Sequence, residues 1–447
     1  MSKVRPAAGV IPLRKSNQGW HVYLVQRGSR GRFFPGFHAF PGGVMEKEDE
    51  DLRHCAAREL WEESGLWLGA GQPSPGLRQE WLSGHLPWSE VLDNHPLRLE
   101  KLLPAGVRTT PEYALVRFRA QFYLWDCPLG QLAEVWPGEL EEGRWWLVEE
   151  ALAAWRHGKI FLAPPTQDSL QGILESATLE EAAERLSAYP EDTADPIRML
   201  PGLSYIPLET ATLPPARHTL CFLLGHEELI LVDPGAADLA RVEKVAGQVK
   251  AVVLTHHHPD HVGGVARCRQ LGWPLWAHQR TGELLDLKLD RLLQEGDQLG
   301  DWTILHTPGH ASGHLALWHA TFRVLLCGDL ASGVSTILVP MPDGNMADYF
   351  ESLRRCQELR PQLVLPSHGG PFGPGSDLLG QTLLHRRERE NRVIGALGGT
   401  LEQILAVAYA DVSGPPLEYA RMSLLAHLHK LQADGKAQLL EERWLPA

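Results

Sequence analysis

Residues 255–264 read THHHPDHVGG, which places four histidines within six positions. The run follows Ala251-Val-Val-Leu254, a short apolar stretch that reads as a buried strand. Beyond it, His256, His258, Asp260 and His261 make an HxHxDH loop. Alternate positions 256 and 258 can point one way, while Asp260 and His261 face a second point nearby. Neutral imidazole and carboxylate are donors suited to zinc and similar divalent ions. Two metals need more donors than one loop supplies. Residues about 205–380 repeat a strand, loop, helix rhythm: LILVDPG, AVVLTHHH, TILHTPGH, RVLLCGD, LVLPSHGG. Each apolar run ends in a polar tip, as buried strands do when they deliver functional groups to one sheet edge. The tips add His310, Asp329 and His368. A lone histidine is most often a surface or core residue, but that does not explain seven donors in five ordered motifs. A closed structural zinc site would be thiolate-rich, and these tips are not.

This set resembles the metallo-β-lactamase superfamily over about residues 200–380. The resemblance implies an αββα sandwich with two divalent ions, zinc foremost, with manganese or iron as alternatives. It implies that His256, His258 and His310 hold the first ion and Asp260, His261 and His368 the second. Asp329 matches the aspartate that bridges both, and Asp233 matches a residue that orients a ligand from behind. Asp260 and Asp329 are thereby the expected catalytic carboxylates. Two such ions make water nucleophilic near neutral pH and polarise the bond attacked. The antibiotic-hydrolysing members usually lack the bridging aspartate, whereas glyoxalase II-type thioesterases and nucleases of this fold have it. His314 also matches a position near the metals, as a structural group or a substrate contact. Asp348-Tyr-Phe-Glu-Ser-Leu353, Pro366-Ser-His-Gly369 and His385-Arg-Arg-Glu-Arg-Glu390 resemble the β-lactamase-like protein 2 branch. That branch ends in a winged-helix-like tail and includes single-strand-preferring endoribonucleases. In the tail, Leu424, Leu425, Leu428 and Leu431 form a helical apolar stripe, best read as core packing. Residues 381–447 hold eight Lys and Arg against eight Asp and Glu, a poor nucleic-acid footprint.

A second constellation lies near the start. Arg58-Glu-Leu-Trp-Glu-Glu-Ser-Gly-Leu66 places Glu59, Glu62 and Glu63 on one face of a helix expected from about Asp51 to Ser64, with Gly65 at its end. Three like charges repel, so a hard cation, magnesium or manganese, is a natural partner; a solvated acidic face is the bland alternative. The stretch PGGVMEKEDEDLRHCAARELWEESGL resembles the Nudix box, which implies an α/β/α fold and magnesium-assisted attack of water on a phosphorus. Glu59, Glu62 and Glu63 match its metal-holding glutamates and are the expected catalytic residues. Glu50 lies seven residues before Arg58 as the box requires, but Gly43 is one residue too far upstream. Either the loop carries an insertion or Asp49 takes the glutamate position. Glu139, Glu141 and Glu142 are candidates for a further ligand. Gln26 to Pro35, Phe40-Pro-Gly-Gly43, Thr110-Pro111, Trp145-Trp146 and Ala163-Pro-Pro-Thr166 resemble the coenzyme A diphosphatase branch, with residues 70–110 as its insertion. Arg27, Arg30 and Arg32 could meet phosphates or lie on a solvated loop.

The 447 residues lead us to expect an α/β multi-domain chain: a Nudix domain over 1–185, a linker over 186–204, a metallo-β-lactamase-fold domain over 205–380 and a winged-helix-like domain over 381–447. The net charge of −13 argues against an overall electrostatic drive toward nucleic acid. Six scattered cysteines without a CxxC pair fit reduced thiols, and no apolar run reaches membrane-spanning length, so a cytoplasmic protein without a membrane partner is expected. The leading expectation is a bifunctional metal-dependent hydrolase. One site would take a nucleotide-like or coenzyme A-like diphosphate, the other an ester, thioester or phosphodiester. The alternatives are an RNA-processing enzyme acting on single-stranded RNA, and a nucleotide sensor without turnover.

Overall fold

The computed structural model describes residues 4–29, 31, 34–111, 114, 116–136, 138–192, 195–412 and 416–447. Arg30 and Arg32 lie outside them. The chain divides into two compact units, Met1–Ser204 with Gly373–Ser376, and Tyr205–Phe372 with Asp377–Ala447.

The first unit is built on a mixed sheet around the long strand Val4–Ser16, whose residues 7–13 are all buried. A two-residue turn folds it antiparallel onto Gly19–Arg27, with Ser16 opposite Gly19. On its other side it runs parallel to Arg117–Asp126. These strands correspond to the alternating segments around residues 20–25 and 115–124, of which Leu115 is not among the described residues. Helix Leu52–Ser64 packs Cys55, Ala56 and Leu60 against Val10, Tyr23 and Tyr123. Asp51 caps its start by accepting from the Arg53 and His54 N–H groups, and Gly65 ends it at φ 71. Residues 70–110 add helices Pro75–Leu82 and Trp88–Asn94 and seat Trp81 on Trp61, ring centroids 5.0 Å apart.

The expected linker over 186–204 is more ordered than its composition suggests. It begins in helix Leu179–Ser187 and includes strand Ile197–Leu200, where Met199 and Leu200 are buried. Four apolar-rich residues between Pro and Asp clusters are too short a run to stand out in sequence.

In the second unit one sheet runs in the order Arg291–Leu292, Leu275–Ala277, Gln248–Leu254, Glu228–Val232, His218–Leu224 and Leu203–Glu209. The other runs Gln298–Leu299, Trp302–His306, Leu315–His319, Val324–Gly328 and Leu363–Pro366. Together they form the sandwich, with helices on the outer faces. Alternate residues Cys221, Leu223, Leu229, Leu231, Val252 and Leu254 meet Leu239, Val242 and Cys268 on one such face. Glu228–Val232 and Gln248–Leu254 are parallel, so Asp233 and His256 leave at the same edge. Val324–Gly328 and Leu363–Pro366 are likewise parallel, delivering Asp329 and His368 together.

Residues 381–447 belong to this same compact unit. Strands Gly399–Thr400, Arg443–Pro446 and Ala437–Leu440 form a small sheet beside helices Leu401–Ala408 and Pro416–Ala433. Leu424, Leu428 and Leu431 are fully buried against Ile404 and Trp444, and Leu425 is partly buried, so the apolar stripe is core. All six cysteines are buried and unpaired. Among the described residues no helix is long and apolar enough to cross a membrane.

Candidate functional site

The seven expected donors of the second unit converge. His256, His258 and His310 offer ligand atoms within 4.8 Å of one another, as do His256, His261 and Asp329, and Asp260, His261 and His368. Asp329 stands between the sets. Its Oδ2 lies 3.5 Å from His310 Nε2, while Oδ1 lies 3.5 Å from His261 Nε2 and 3.4 Å from His368 Nε2. One carboxylate thus turns an oxygen to each side, which is what a bridging ligand requires.

Four of the five imidazole rings, all but His258, are held from behind, which fixes the nitrogen that faces the centre. His261 Nδ1–H donates to Asp233 Oδ2 at 2.8 Å, His310 Nδ1–H to the Leu338 carbonyl at 2.6 Å, and His368 Nδ1–H to the His218 carbonyl at 3.0 Å. Asp233 also accepts from the Thr255 N–H at 2.8 Å and hydroxyl at 2.6 Å. The Thr255 oxygen then accepts from His256 Nδ1–H at 3.0 Å. All four rings therefore present Nε2 inward, and His256 Nε2 sits 3.1 Å from His258 Nδ1 and 3.2 Å from His310 Nε2.

The donor set fits divalent cations. His261 Nε2 and Asp329 Oδ1 are buried with no hydrogen-bond partner, an arrangement that costs free energy unless something positive lies between them. Burial alone would push the proton off His261, yet Asp329 and Asp233 hold its pKa well above the ordinary value. At His368 burial is likewise overcome, chiefly by Asp329 and Asp260, and the pKa rises to about 10. In His258 burial and the neighbouring imidazoles win, and the pKa falls to about 3. The cluster calls for positive charge on the Asp260 and Asp329 side and for unprotonated nitrogens on the other, and two bound cations satisfy both demands.

His314 is a structural group. Its Nε2 accepts from the Asp329 N–H at 3.0 Å and its Nδ1–H donates to Thr307 Oγ1 at 2.8 Å. Gly328, at φ 53, makes room for it, since a Cβ there would lie 2.5 Å from His314 Nε2. Thr255, Thr307 and the carbonyls of Leu338 and His218 escape sequence reasoning, because a backbone carbonyl carries no residue signature. Asp233→Asn keeps a side chain tolerant of the local φ of 54 while removing a charged acceptor. We expect it to weaken zinc binding about 10–100-fold, measured by chelator competition. Unchanged affinity would show that Asp233 does not orient the ligands.

In the first unit, Arg58 and Asp49 settle the register of the box. Arg58 Nε and Nη2 donate to Asp49 Oδ1 and Oδ2, both at 2.9 Å, with Asp49 fully buried. Glu50, its side chain 80% exposed, faces His54 at 3.6 Å. Asp49 takes the buried position, and Glu50 does not. Arg58 also reaches Glu59 Oε1 and Glu62 Oε2, each at 3.0 Å. Gly43 lies directly beside the Glu59 carboxylate, and a Cβ there would sit 2.4 Å from Glu59 Oε1. Glu63 Oε2 accepts from the Gly42 N–H at 2.8 Å.

Burial first, then neighbouring carboxylates, push Glu59 up to about 7 and Glu63 up to about 8; burial also raises Glu62. Repulsion of that kind is relieved by a hard cation, so the donor chemistry fits magnesium or manganese. Among the described residues, the sets of three donors within 4.8 Å all lie in the second unit, so these glutamates form an open face and not a cage. Of the three further candidates, Glu139 is the one whose charge bears on Glu59, Glu62 and Glu63. Glu141 instead accepts from the Ser29 N–H, and Glu142 stands 3.5 Å from His38. Arg27 is close enough to stabilise the Glu63 carboxylate.

Similarity to known proteins falls in three stretches of the chain. The NUDIX domain model matches residues 3–163, the metallo-beta-lactamase superfamily model residues 214–285 and 281–368, and the beta-lactamase associated winged helix domain model residues 400–444. A hydroxyacylglutathione hydrolase of Bdellovibrio bacteriovorus is 33% identical over 148 residues, 31% of this chain and 57% of that protein. A beta-lactamase-like protein 2 homolog of Drosophila melanogaster is 26% identical over 251 residues, 49% of this chain and 84% of that protein. The crystal structure of a NUDIX hydrolase from Alicyclobacillus acidocaldarius is similar at 26% identity with a TM-score of 0.40, over 42% of this chain and 100% of that one. The chain spans about half the length of the hydroxyacylglutathione hydrolases it matches. It thus joins, in one polypeptide, a Nudix domain, a metallo-β-lactamase superfamily domain and a β-lactamase-associated winged-helix domain.

Proposed function

We propose that the chain is a bifunctional metal-dependent hydrolase acting in the cytoplasm. The observation that carries this reading is Asp329, whose two oxygens face two separate donor sets. His256, His258 and His310 would hold one divalent ion and Asp260, His261 and His368 the other, with Asp329 shared. Zinc suits so imidazole-rich a set, with manganese or iron as alternatives. When bound, such ions make water nucleophilic near neutral pH and polarise the bond attacked. The chain's own work is positional: Asp233, Thr255 and the two carbonyls lock the rings, and His314 locks Asp329. In the first unit Glu59, Glu62 and Glu63 would hold magnesium or manganese beside the diphosphate of a nucleotide-like substrate, coenzyme A or a derivative.

For the second unit we favour a thioester. The similar hydroxyacylglutathione hydrolases are named for that chemistry. An acyl-coenzyme A would serve both sites, its thioester at one and its diphosphate at the other. The resemblance of residues 348–390 and the tail to the β-lactamase-like protein 2 branch, which includes single-strand-preferring endoribonucleases, favours single-stranded RNA instead. Against RNA, the tail's cations are largely occupied. Arg389 pairs with Asp411 at 2.8 Å, Arg421 with Glu402 at 2.8 Å and Lys430 with Glu390 at 3.0 Å, and Arg386 is buried. Phosphate binding draws its strength from free positive charge. The reading as a nucleotide sensor without turnover rests on the spacing of Gly43 alone, and nucleotide binding with magnesium but without product would favour it.

The test is one protein preparation with about two zinc ions per chain, offered acyl-coenzyme A thioesters, a hydroxyacylglutathione and labelled single-stranded RNA. We expect thiol release from a thioester and, with magnesium, 3′,5′-ADP from coenzyme A. RNA cleavage lost in Asp329→Ala, with no thiol released, would replace the thioester reading by the nuclease one. No product from any of the three would overturn the proposal.

A further inference from the structure

We infer that helix Met346–Glu358 is a clasp for the metal-bearing loops and that Tyr349 is the positioning residue for Asp329. This rests on reading the seven donors as a two-metal site. Asn345, Tyr349 and Ser352 are spaced four and then three residues apart, so they line one face at the start of the helix. All three grip backbone carbonyls beside ligands. The Asn345 N–H donates to Gly309 O at 2.8 Å, and Ser352 Oγ donates to Pro308 O at 2.7 Å, which together hold the two residues before His310. Tyr349 Oη donates to Leu330 O at 2.7 Å, the residue after Asp329.

The contact is close. Gly309 has φ 133, and a Cβ there would lie 2.3 Å from Tyr349 Cα, so the loop rests directly on the helix. The two loops leave strands Trp302–His306 and Val324–Gly328, which are separated in the sheet by Leu315–His319. One helix therefore fixes the spacing of ligands that the sheet does not place side by side. Asp329 is held on both flanks, its own N–H by His314 and the next carbonyl by Tyr349. Arg386, only 2% exposed, lies over the Tyr349 ring at 5.6 Å and comes from helix Leu378–Gly395, which leads into the tail. Phenylalanine could fill the same fully buried space, so packing alone does not call for the hydroxyl.

The experiment is a zinc competition titration against a chelator on the full chain, the Tyr349→Phe variant and a Tyr409→Phe control. Tyr409 is a buried tyrosine of the same unit whose hydroxyl has no partner. We expect the weaker-bound zinc equivalent to lose about tenfold in affinity in Tyr349→Phe, the low end of what an outer partner contributes. The visible spectrum of its cobalt-loaded form should shift as the ligand geometry relaxes. Tyr409→Phe should change neither. If Tyr349→Phe does not fold, Ser352→Ala releases Pro308 O and should weaken zinc binding in the same assay. A parent chain with two zinc equivalents and a Tyr349→Phe variant that matches it would overturn the clasp alone, as would an equal loss in Tyr409→Phe. A parent chain that binds no zinc would overturn the clasp and the two-metal reading together.

Discussion

Replacing Asp329 by alanine will remove hydrolysis by the second unit while leaving diphosphate cleavage by the first unchanged. Asp329 is the one group whose oxygens face both donor sets, so its loss leaves neither set complete. Losing a partner behind a ligand typically costs 10–100-fold. Losing the shared ligand itself should cost more than about 100-fold, or about 2.7 kcal/mol of transition-state stabilisation. Zinc content should fall below two equivalents in the same sample, which ties the lost rate to the lost ion. The first unit supplies an internal control, because its carboxylates come from a separate compact body. A variant that keeps both its zinc and its turnover would remove Asp329 from the mechanism. One that loses both activities would show misfolding instead.

The second large effect concerns stability. Asp49→Ala should destabilise the first unit by about 3 kcal/mol, whereas Glu50→Ala should be nearly silent. Removing one member of a buried ion pair strands the other charge, which typically costs 3–5 kcal/mol. The low end applies because Arg58 retains Glu59 and Glu62 at 3.0 Å. Glu50 is exposed, and exposed pairs contribute about 0–1 kcal/mol. Urea unfolding followed by tryptophan fluorescence reads this directly, since Trp61 and its aromatic neighbours pack beside the same helix. Equal midpoints for the two variants would remove the pairing role from Asp49, and a larger loss in Glu50→Ala would assign it to Glu50.

That pair also marks where the sequence could be read and where it could not. The seven donors of the second unit were legible because each lies in a segment that follows a short apolar strand, and strand ends gather at one sheet edge. The helix from Leu52 to Ser64 was legible from the spacing of Glu59, Glu62 and Glu63 and from Gly65 at its end, whereas the Asp51 cap was not read. The register between Gly43 and Arg58 was not, because a motif counts residues along the chain, whereas the loop decides which carboxylate turns inward. Nor was the strand at Ile197–Leu200, whose four residues are too short a run to show a period and which pairs with Leu203–Glu209 just beyond it. Two of the four partners behind the histidines are backbone carbonyls, and Tyr349 takes its position only through a fold that brings Leu330 to it.

The buried thiols give the molecule a built-in clock. Cys55 and Cys127 lie in the first unit, and Cys221, Cys268, Cys327 and Cys356 in the second, all shielded in the folded state. A thiol-labelling reagent should therefore find no ready target until a unit opens, and the sites that then react identify which unit it was. Labelling followed by peptide mapping would report the opening free energies of both bodies from one unmodified chain, including whether cation binding slows the opening of one body without touching the other.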